Sequence, residues 1–232
     1  MADMPDVPQR DRVQLRAAWA EALGVPATAF DGAGVTWTRR EDLDSVIVVE
    51  LGAAMAVAAP ARALTVLETQ HRVTLRDAAA IAALLPGSQP IGSAHLLFTG
   101  TRPAAASHDV VRGEDRDLVK VREAVPDAEW AEAGVEPMAH HWAVREDGEP
   151  VAVAGYQPWH STIAHVGVVV ATRHRRRGYA AAAATAAVSG AIDAGLIAQW
   201  RCRKGNAASL RLADRLGFTR LGSQSAVLLG PH

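Results

Sequence analysis

The sequence contains little cysteine and no long uninterrupted apolar run, and neither sign of charge is in excess. Cys202 is the only cysteine among 232 residues, which excludes an intramolecular disulfide and a cysteine-based metal cluster. Such scarcity is typical of a reducing cytoplasm, where we expect the protein. Lysine and arginine number 24 against 25 acidic residues, so no overall field favours nucleic acid or an acidic membrane. The most apolar early stretch, residues 46–66, is interrupted by Glu50, Pro60 and Arg62 and is too broken to span a bilayer.

The rest of the composition is that of a folded protein with alternating helices and strands. Hydrophobic residues make up 49% and charged residues 21%, which excludes a disordered or fibrous chain. Helical and strand patterns alternate along the chain, so the predicted fold class is α/β with a mixed sheet. We expect a smaller α/β subdomain over residues 1–102, a linker with chain breakers over residues 103–112, and a second domain over residues 113–232.

The most informative local feature lies between an apolar strand and a long helix in the second domain. The strand is predicted at Ile163–Val170 and the helix at Arg177–Ala194, and the segment from Arg175 to Ala180 has the sequence Arg-Arg-Arg-Gly-Tyr-Ala. A turn at Gly178 would expose backbone N–H groups, and the helix would add its unpaired amides and positive dipole end. This arrangement is suited to a phosphate group, with a basic surface turn as the equal alternative.

Two blocks of residues in this region fit one family pattern. The first block is Arg175, Gly178 and Ala180, spaced as Arg-x-x-Gly-x-Ala. The second block is Asn206, Ser209 and Leu216-Gly217-Phe218. With a predicted strand between them, the two blocks resemble the GNAT superfamily of acyl-CoA-dependent N-acetyltransferases, and the resemblance covers residues 113–229.

The resemblance implies a GNAT-type domain that moves an acetyl group from acetyl-CoA to a primary amine of a small molecule or peptide, by direct attack in a ternary complex. The pyrophosphate would rest on the amides of residues 176–180, and the pantetheine arm would lie along Val168–Val170. The thioester would reach into a gap between that strand and residues 200–202. The cofactor-binding residues implied are Val168, Val169, Val170, Arg175, Arg176, Arg177, Gly178, Tyr179, Ala180, Asn206 and Ser209.

The residues expected to move protons depart from the family pattern. Ala213 stands where many members have a tyrosine that acts as the general acid. Ser209 or water would therefore protonate the leaving thiolate. No carboxylate occurs over residues 150–192, where many members place a glutamate base. His165 is therefore the predicted general base, with His160 as the second candidate and a purely structural His165 as the alternative. The predicted catalytic residues are His165 and Ser209.

Several other residues of this region have a structural and a functional interpretation. Gly167 indicates either a bulge in its strand or crowding in the core. Tyr156 and Trp159 would either stack on a substrate in the acceptor cleft or fill the core. Cys202 is expected to pack as a small apolar side chain.

The expected partners are acetyl-CoA and an amine acceptor, with no metal, nucleic acid or membrane. The adjacent His140 and His141 would point to opposite faces of a strand and have no third ligand at a suitable spacing. Residues 1–102 are interpreted as a degenerate GNAT-like half that closes the acceptor cleft or builds a homodimer. The alternative function is an acyl-CoA-binding or sensing module with little or no catalysis, because the tyrosine acid and the glutamate base are both missing.

Overall fold

The structure is a computed structural model that describes residues 7–106, 108–136 and 138–231. It divides into two compact units, each of which combines separate segments of the chain. The first unit holds the described residues up to Leu97, together with Arg201–Ala207 and those from Arg220 onward. The second holds the described residues of Phe98–Trp200 and Ala208–Thr219. In the described ranges, no helix combines the length and the apolar character that crossing a membrane requires.

Helices and strands alternate as the sequence predicts, which confirms the α/β fold class. In chain order the elements are α1 (Gln9–Leu23), β1 (Val35–Arg39), β2 (Ser45–Leu51), β3 (Ala54–Ala59), α2 (Ala61–Leu67), α3 (Arg72–Leu75), α4 (Ala78–Leu84), β4 (Gln89–Thr99), β5 (Val110–Arg112), α5 (Asp115–Glu123), α6 (Asp127–Ala133), β6 (His140–Glu146), β7 (Glu149–Trp159), β8 (Ile163–Val170), α7 (Tyr179–Asp193), β9 (Ile197–Arg203), α8 (Ala207–Arg215) and β10 (Thr219–Leu228).

The first unit is organised around strands in the order β1-β3-β2-β10-β4. β1 runs parallel to β3, whereas β2 is antiparallel to both β3 and β10. Its core is made of aliphatic side chains from the sheet and from α2 to α4, which include Val46, Val48, Met55, Val57, Leu67, Leu75 and Ile81. The apolar stretch over residues 46–66 therefore forms a β-hairpin and a helix around one core.

The second unit has strands in the order β9-β8-β7-β6-β5. All neighbouring pairs are antiparallel except β8 and β9, which run parallel. β8 pairs with β7 over its whole length, but it pairs with β9 only through Ile163–Val166 and Ile197–Trp200 among the described residues. The last four residues of β8 therefore extend past its pairing with β9.

The two faces of this second sheet are covered by different helices. α7 packs on β6, β7 and β8, and its Gly190 makes room for Trp142, because a Cβ at that position would lie 2.5 Å from Cζ2 of the indole. The opposite face packs on α5 and α6 through a core of Val121, Val125, Trp130, Val135, Met138, Ala143, Val153 and Val169. Gly167 lies on this α6 face, and His165, two residues away on the same strand, faces the same way.

Close packing, and not a bulge, accounts for Gly167. The register of β8 with β7 continues through the Gly155–Gly167 pair without a shift. A Cβ on Gly167 would collide with the backbone oxygen of Ala133 and would lie 2.8 Å from the Met138 methyl carbon. The glycine therefore allows the end of α6 to lie directly on the sheet.

We expect Gly167→Ala to lower the free energy of unfolding by about 1–3 kcal/mol, because backbone atoms of α6 must move to admit a methyl group. Urea unfolding measures the change. Gly34→Ala is the matched control, since a Cβ there would meet no atom within 4 Å, and we expect a change within about 0.5 kcal/mol. Equal stability of Gly167→Ala and wild type would show that α6 is not held against the sheet at this point.

Candidate active site

The turn at Gly178 that the sequence predicts is present at the start of α7. A short 3₁₀ turn, Thr172–His174, follows β8 and leads into the segment before Tyr179. Arg176 and Gly178 both have positive φ, 63° and 87°. Gly178 is the residue that caps the 15-residue helix α7, and it brings no side chain to that end. The unpaired amides of the first turn of α7 thus point out of the helix N-terminus, an arrangement suited to an anion.

Two of the three arginines before the helix are held by carboxylates of the same unit. Arg175 forms an ion pair with Glu129 and donates to the hydroxyl of Thr172 at 3.2 Å. Arg177 pairs with Glu146 and lies over the ring of Tyr179, with Cζ 5.2 Å from the ring centroid. These contacts fix both flanks of the turn.

Glu146, at the end of β6, joins the turn to the sheet. Its carboxylate accepts a hydrogen bond from the Tyr179 hydroxyl at 2.7 Å and lies 2.9 Å from Nδ1 of His174 and 2.9 Å from Nη1 of Arg177. The Tyr179 hydrogen bond is the main cause that lowers the pKa of Glu146, and burial opposes it. The same bond raises the pKa of Tyr179. Sequence reasoning missed Glu146, because a glutamate at a hairpin end belongs to no motif.

Three polar side chains form a row across β7, β8 and β9. His165 is in register with Gln157 on one side and with Gln199 on the other. Residues in register on neighbouring strands project from the same face. This polar row therefore lies on the α6 face, two residues along β8 from Gly167. Gln199 is 5% exposed, and its Oε1 has no hydrogen-bond partner among the described residues. The sequence indicated His165 but gave no signal for Gln199.

The residues expected near the leaving thiolate are embedded in the second unit. The Trp200 indole donates to the Ser209 hydroxyl at 2.9 Å, which ties α8 to β9. Ala213, where the resemblance implies a tyrosine, is fully buried at 0% exposure. A larger side chain at residue 213 would therefore have to displace its neighbours.

We expect Ala213→Tyr to lower the free energy of unfolding by about 1–3 kcal/mol through overpacking. Thermal and urea unfolding both measure this. Ala131→Tyr places the same side chain on an exposed position of α6 and should change stability by about 0.5 kcal/mol or less. An Ala213→Tyr protein as stable as wild type would mean that α8 can open space for a phenol.

The other residues singled out by the sequence have structural surroundings. Tyr156 is buried and stacks on Trp142, with ring centroids 5.9 Å apart on the α7 face, so it lies on the face opposite His165. In the first unit, Cys202 is 2% exposed with Sγ 3.4 Å from the carbonyl oxygen of Asn206, which directly precedes α8. Within the described ranges no group of three or more His, Cys, Asp or Glu side chains is arranged to hold a metal.

Comparison with known proteins identifies a family domain within the chain. Residues 108–218 match the model of the acetyltransferase (GNAT) family, and this range contains both sequence blocks. These residues are a GNAT acetyltransferase domain. No curated protein matches the chain.

Solved structures of GNAT proteins resemble this chain over part of its length. A GNAT-family protein from Novosphingobium aromaticivorans is 25% identical with a TM-score of 0.51, over 63% of this chain and 69% of that one. A GCN5-related N-acetyltransferase from Kribbella flavida is 21% identical with a TM-score of 0.47, over 63% of this chain and 61% of that one, less than two thirds of its length. An aminoglycoside N-acetyltransferase in complex with CoA is 18% identical with a TM-score of 0.40, over 49% of this chain and 92% of that one.

Proposed function

We propose that the protein transfers an acetyl group from acetyl-CoA to a primary amine of a small molecule or peptide, by direct attack in a ternary complex. The observation that carries the proposal is the GNAT family match over residues 108–218, with a glycine turn opening α7 inside that range. The family supports acyl transfer as the class of chemistry. The proposal goes further in naming acetyl-CoA as the donor and an amine as the acceptor.

The cofactor is proposed to bind along the end of β8 and the start of α7. The pyrophosphate would accept hydrogen bonds from the amides of residues 176–180, supported by the helix dipole. The pantetheine arm would extend along Val168–Val170, which lie past the pairing of β8 with β9 and can accept an added strand-like segment. Asn206 and Ser209 are proposed to bind the pantetheine arm.

The chemistry needs a base for the amine and a proton for the thiolate. His165 is proposed to take the proton from the attacking amine, since an imidazole titrates near neutral pH. His165 passes this first proton to solvent. The amine nitrogen then bonds to the thioester carbonyl carbon and gives a second proton to His165, and the tetrahedral intermediate collapses with cleavage of the C–S bond. The CoA thiolate takes a proton from Ser209 or from water. A thiolate is already fairly stable near neutral pH, so a weak acid is sufficient.

Residues 1–102 are proposed to be a degenerate GNAT-like half. Their described part contains the strands β1 to β4 and the helices α1 to α4. The spacing of the phosphate motif recurs there in Gln89, Gly92 and Ala94, but these residues lie within β4 and do not open a helix. That segment therefore lacks the helix N-terminus that anion binding requires.

A thiol-release assay tests the proposed function. Wild-type protein is mixed with acetyl-CoA and a panel of primary amines and peptide N-termini, and free CoA thiol is followed with a thiol-reactive dye. We expect release that depends on the amine, and acetylated amine in equal amount. Binding of acetyl-CoA without amine-dependent release would instead support the acyl-CoA-binding module, which the missing tyrosine at Ala213 favours.

A further inference from the structure

A buried glutamine lies beside the proposed base. Gln199 is 5% exposed, and its carboxamide oxygen is buried without a hydrogen-bond partner among the described residues. A buried polar oxygen left without a partner costs about 1–3 kcal/mol. An apolar residue of similar size would avoid that cost at this place in β9, so the oxygen is suited to a partner that arrives with a ligand.

The register places this oxygen next to His165. His165 and Gln199 are Cα partners in the parallel pair β8–β9, so their backbones are about 4.8 Å apart and their side chains project from the same face. Both side chains are long enough to reach one atom bound above the sheet.

We propose that Gln199 is a specificity-determining residue that accepts a hydrogen bond from the attacking amine and so selects primary over secondary amines. This inference rests on the proposed function. A neutral primary amine carries a lone pair and two N–H groups. As its nitrogen bonds to the thioester carbon, one N–H lies against His165, which takes that proton, and the other donates to Oε1 of Gln199. The lone pair is thereby directed at the carbonyl carbon.

A secondary amine cannot satisfy both residues. It carries one N–H group when neutral, and that proton must go to His165 if the amide is to form. Oε1 of Gln199 then stays without a partner in the transition state. A carbon substituent on the nitrogen stands where the second N–H group of a primary amine would be. A site built to pair with an N–H group rejects an analogue that lacks it, because the buried partner is left unpaired.

The test compares one primary amine with its N-methyl derivative, with acetyl-CoA as donor. We expect wild type to prefer the primary amine by at least about tenfold in kcat/KM, the effect of one unpaired buried oxygen. Gln199→Leu should lose most of that preference, because it lowers kcat/KM for the primary amine. Gln199→Glu keeps an acceptor oxygen and should retain it. If Gln199→Leu does not fold, Gln199→Met supplies an apolar side chain of closer shape.

Gln224→Leu is the matched control. Its Oε1 is also buried without a partner among the described residues, but it lies on β10 of the first unit, outside the polar row. This variant should keep the wild-type preference. An unchanged preference in folded Gln199→Leu, or an equal loss in Gln224→Leu, would overturn the inference while leaving the proposed function intact. A wild type that acetylates no amine would overturn both.

Discussion

Ala180→Glu is expected to abolish detectable binding of acetyl-CoA while the protein stays folded. Ala180 is the second residue of α7 and is partly exposed, so a longer side chain can be accommodated in the free protein. A glutamate in the first turn stabilises a helix by about 0.3–1 kcal/mol through the dipole. The same carboxylate would lie within a few ångströms of the proposed pyrophosphate, where like charges repel by roughly 4 kcal/mol near a protein surface. The expected loss of affinity is therefore at least about 100-fold.

Isothermal calorimetry with acetyl-CoA, together with a thermal melt, measures both effects. Ala180→Gln is the matched control, because it has the size of glutamate without the charge, and it should bind more tightly than Ala180→Glu. A substitution at Gly178 is less informative, since its φ of 87° strains any other residue and a Cβ would lie 3.0 Å from the His108 ring. An Ala180→Glu protein with wild-type affinity would mean that no phosphate lies at this helix end.

His165→Ala is expected to lower the rate of acetyl transfer by at least about tenfold, the low end of general-base effects. The amine acceptor arrives mostly protonated at neutral pH, and no carboxylate lies on β8 to take its proton. The affinity for acetyl-CoA should be nearly unchanged, because His165 lies on β8 before the residues proposed to hold the pantetheine arm. Without the imidazole, the amine must lose its proton to solvent, so the ascending limb of the pH–rate profile should move to higher pH.

His160→Ala is the comparison variant, since His160 is the second candidate base. It lies in the turn after β7, with a positive φ of 47°, and is not a member of the polar row. Initial rates over a pH series with a saturating amine separate the two histidines. Wild-type rate and pH profile in His165→Ala would assign His165 a structural role, and a loss in His160→Ala instead would move the base to the turn.

The repeating patterns of the sequence predict most elements, and the exceptions have physical reasons. β5 occupies the end of the segment expected to be a linker, because a three-residue edge strand is too short to show alternation. β10 begins at Thr219, where the sequence shows no alternating pattern of a strand. Its first half contains Gly222 and polar side chains, and it becomes a strand by pairing with β2. Such pairing depends on distant residues and leaves no local signal.

The candidate site was predictable where one segment carries it and unpredictable where several strands do. The turn at Gly178 is continuous in sequence, so its composition is informative. Gln199 and Glu146 become relevant only through register and hydrogen bonds with residues far along the chain. The side of the sheet on which Tyr156 lies also depends on register, since a shift of one residue would reverse it.

Direct attack in a ternary complex is tested most directly by following a labelled acetyl group. Wild-type protein is incubated with acetyl-CoA carrying carbon-13 in the acetyl group, with and without the primary amine that gives the fastest thiol release, and the acceptor and the intact protein are both weighed by mass spectrometry. The account predicts labelled acetyl on the amine, free CoA in equal amount, and no labelled protein in either reaction. Label on a protein side chain that passes to the amine, or CoA release without label on the amine, would contradict it.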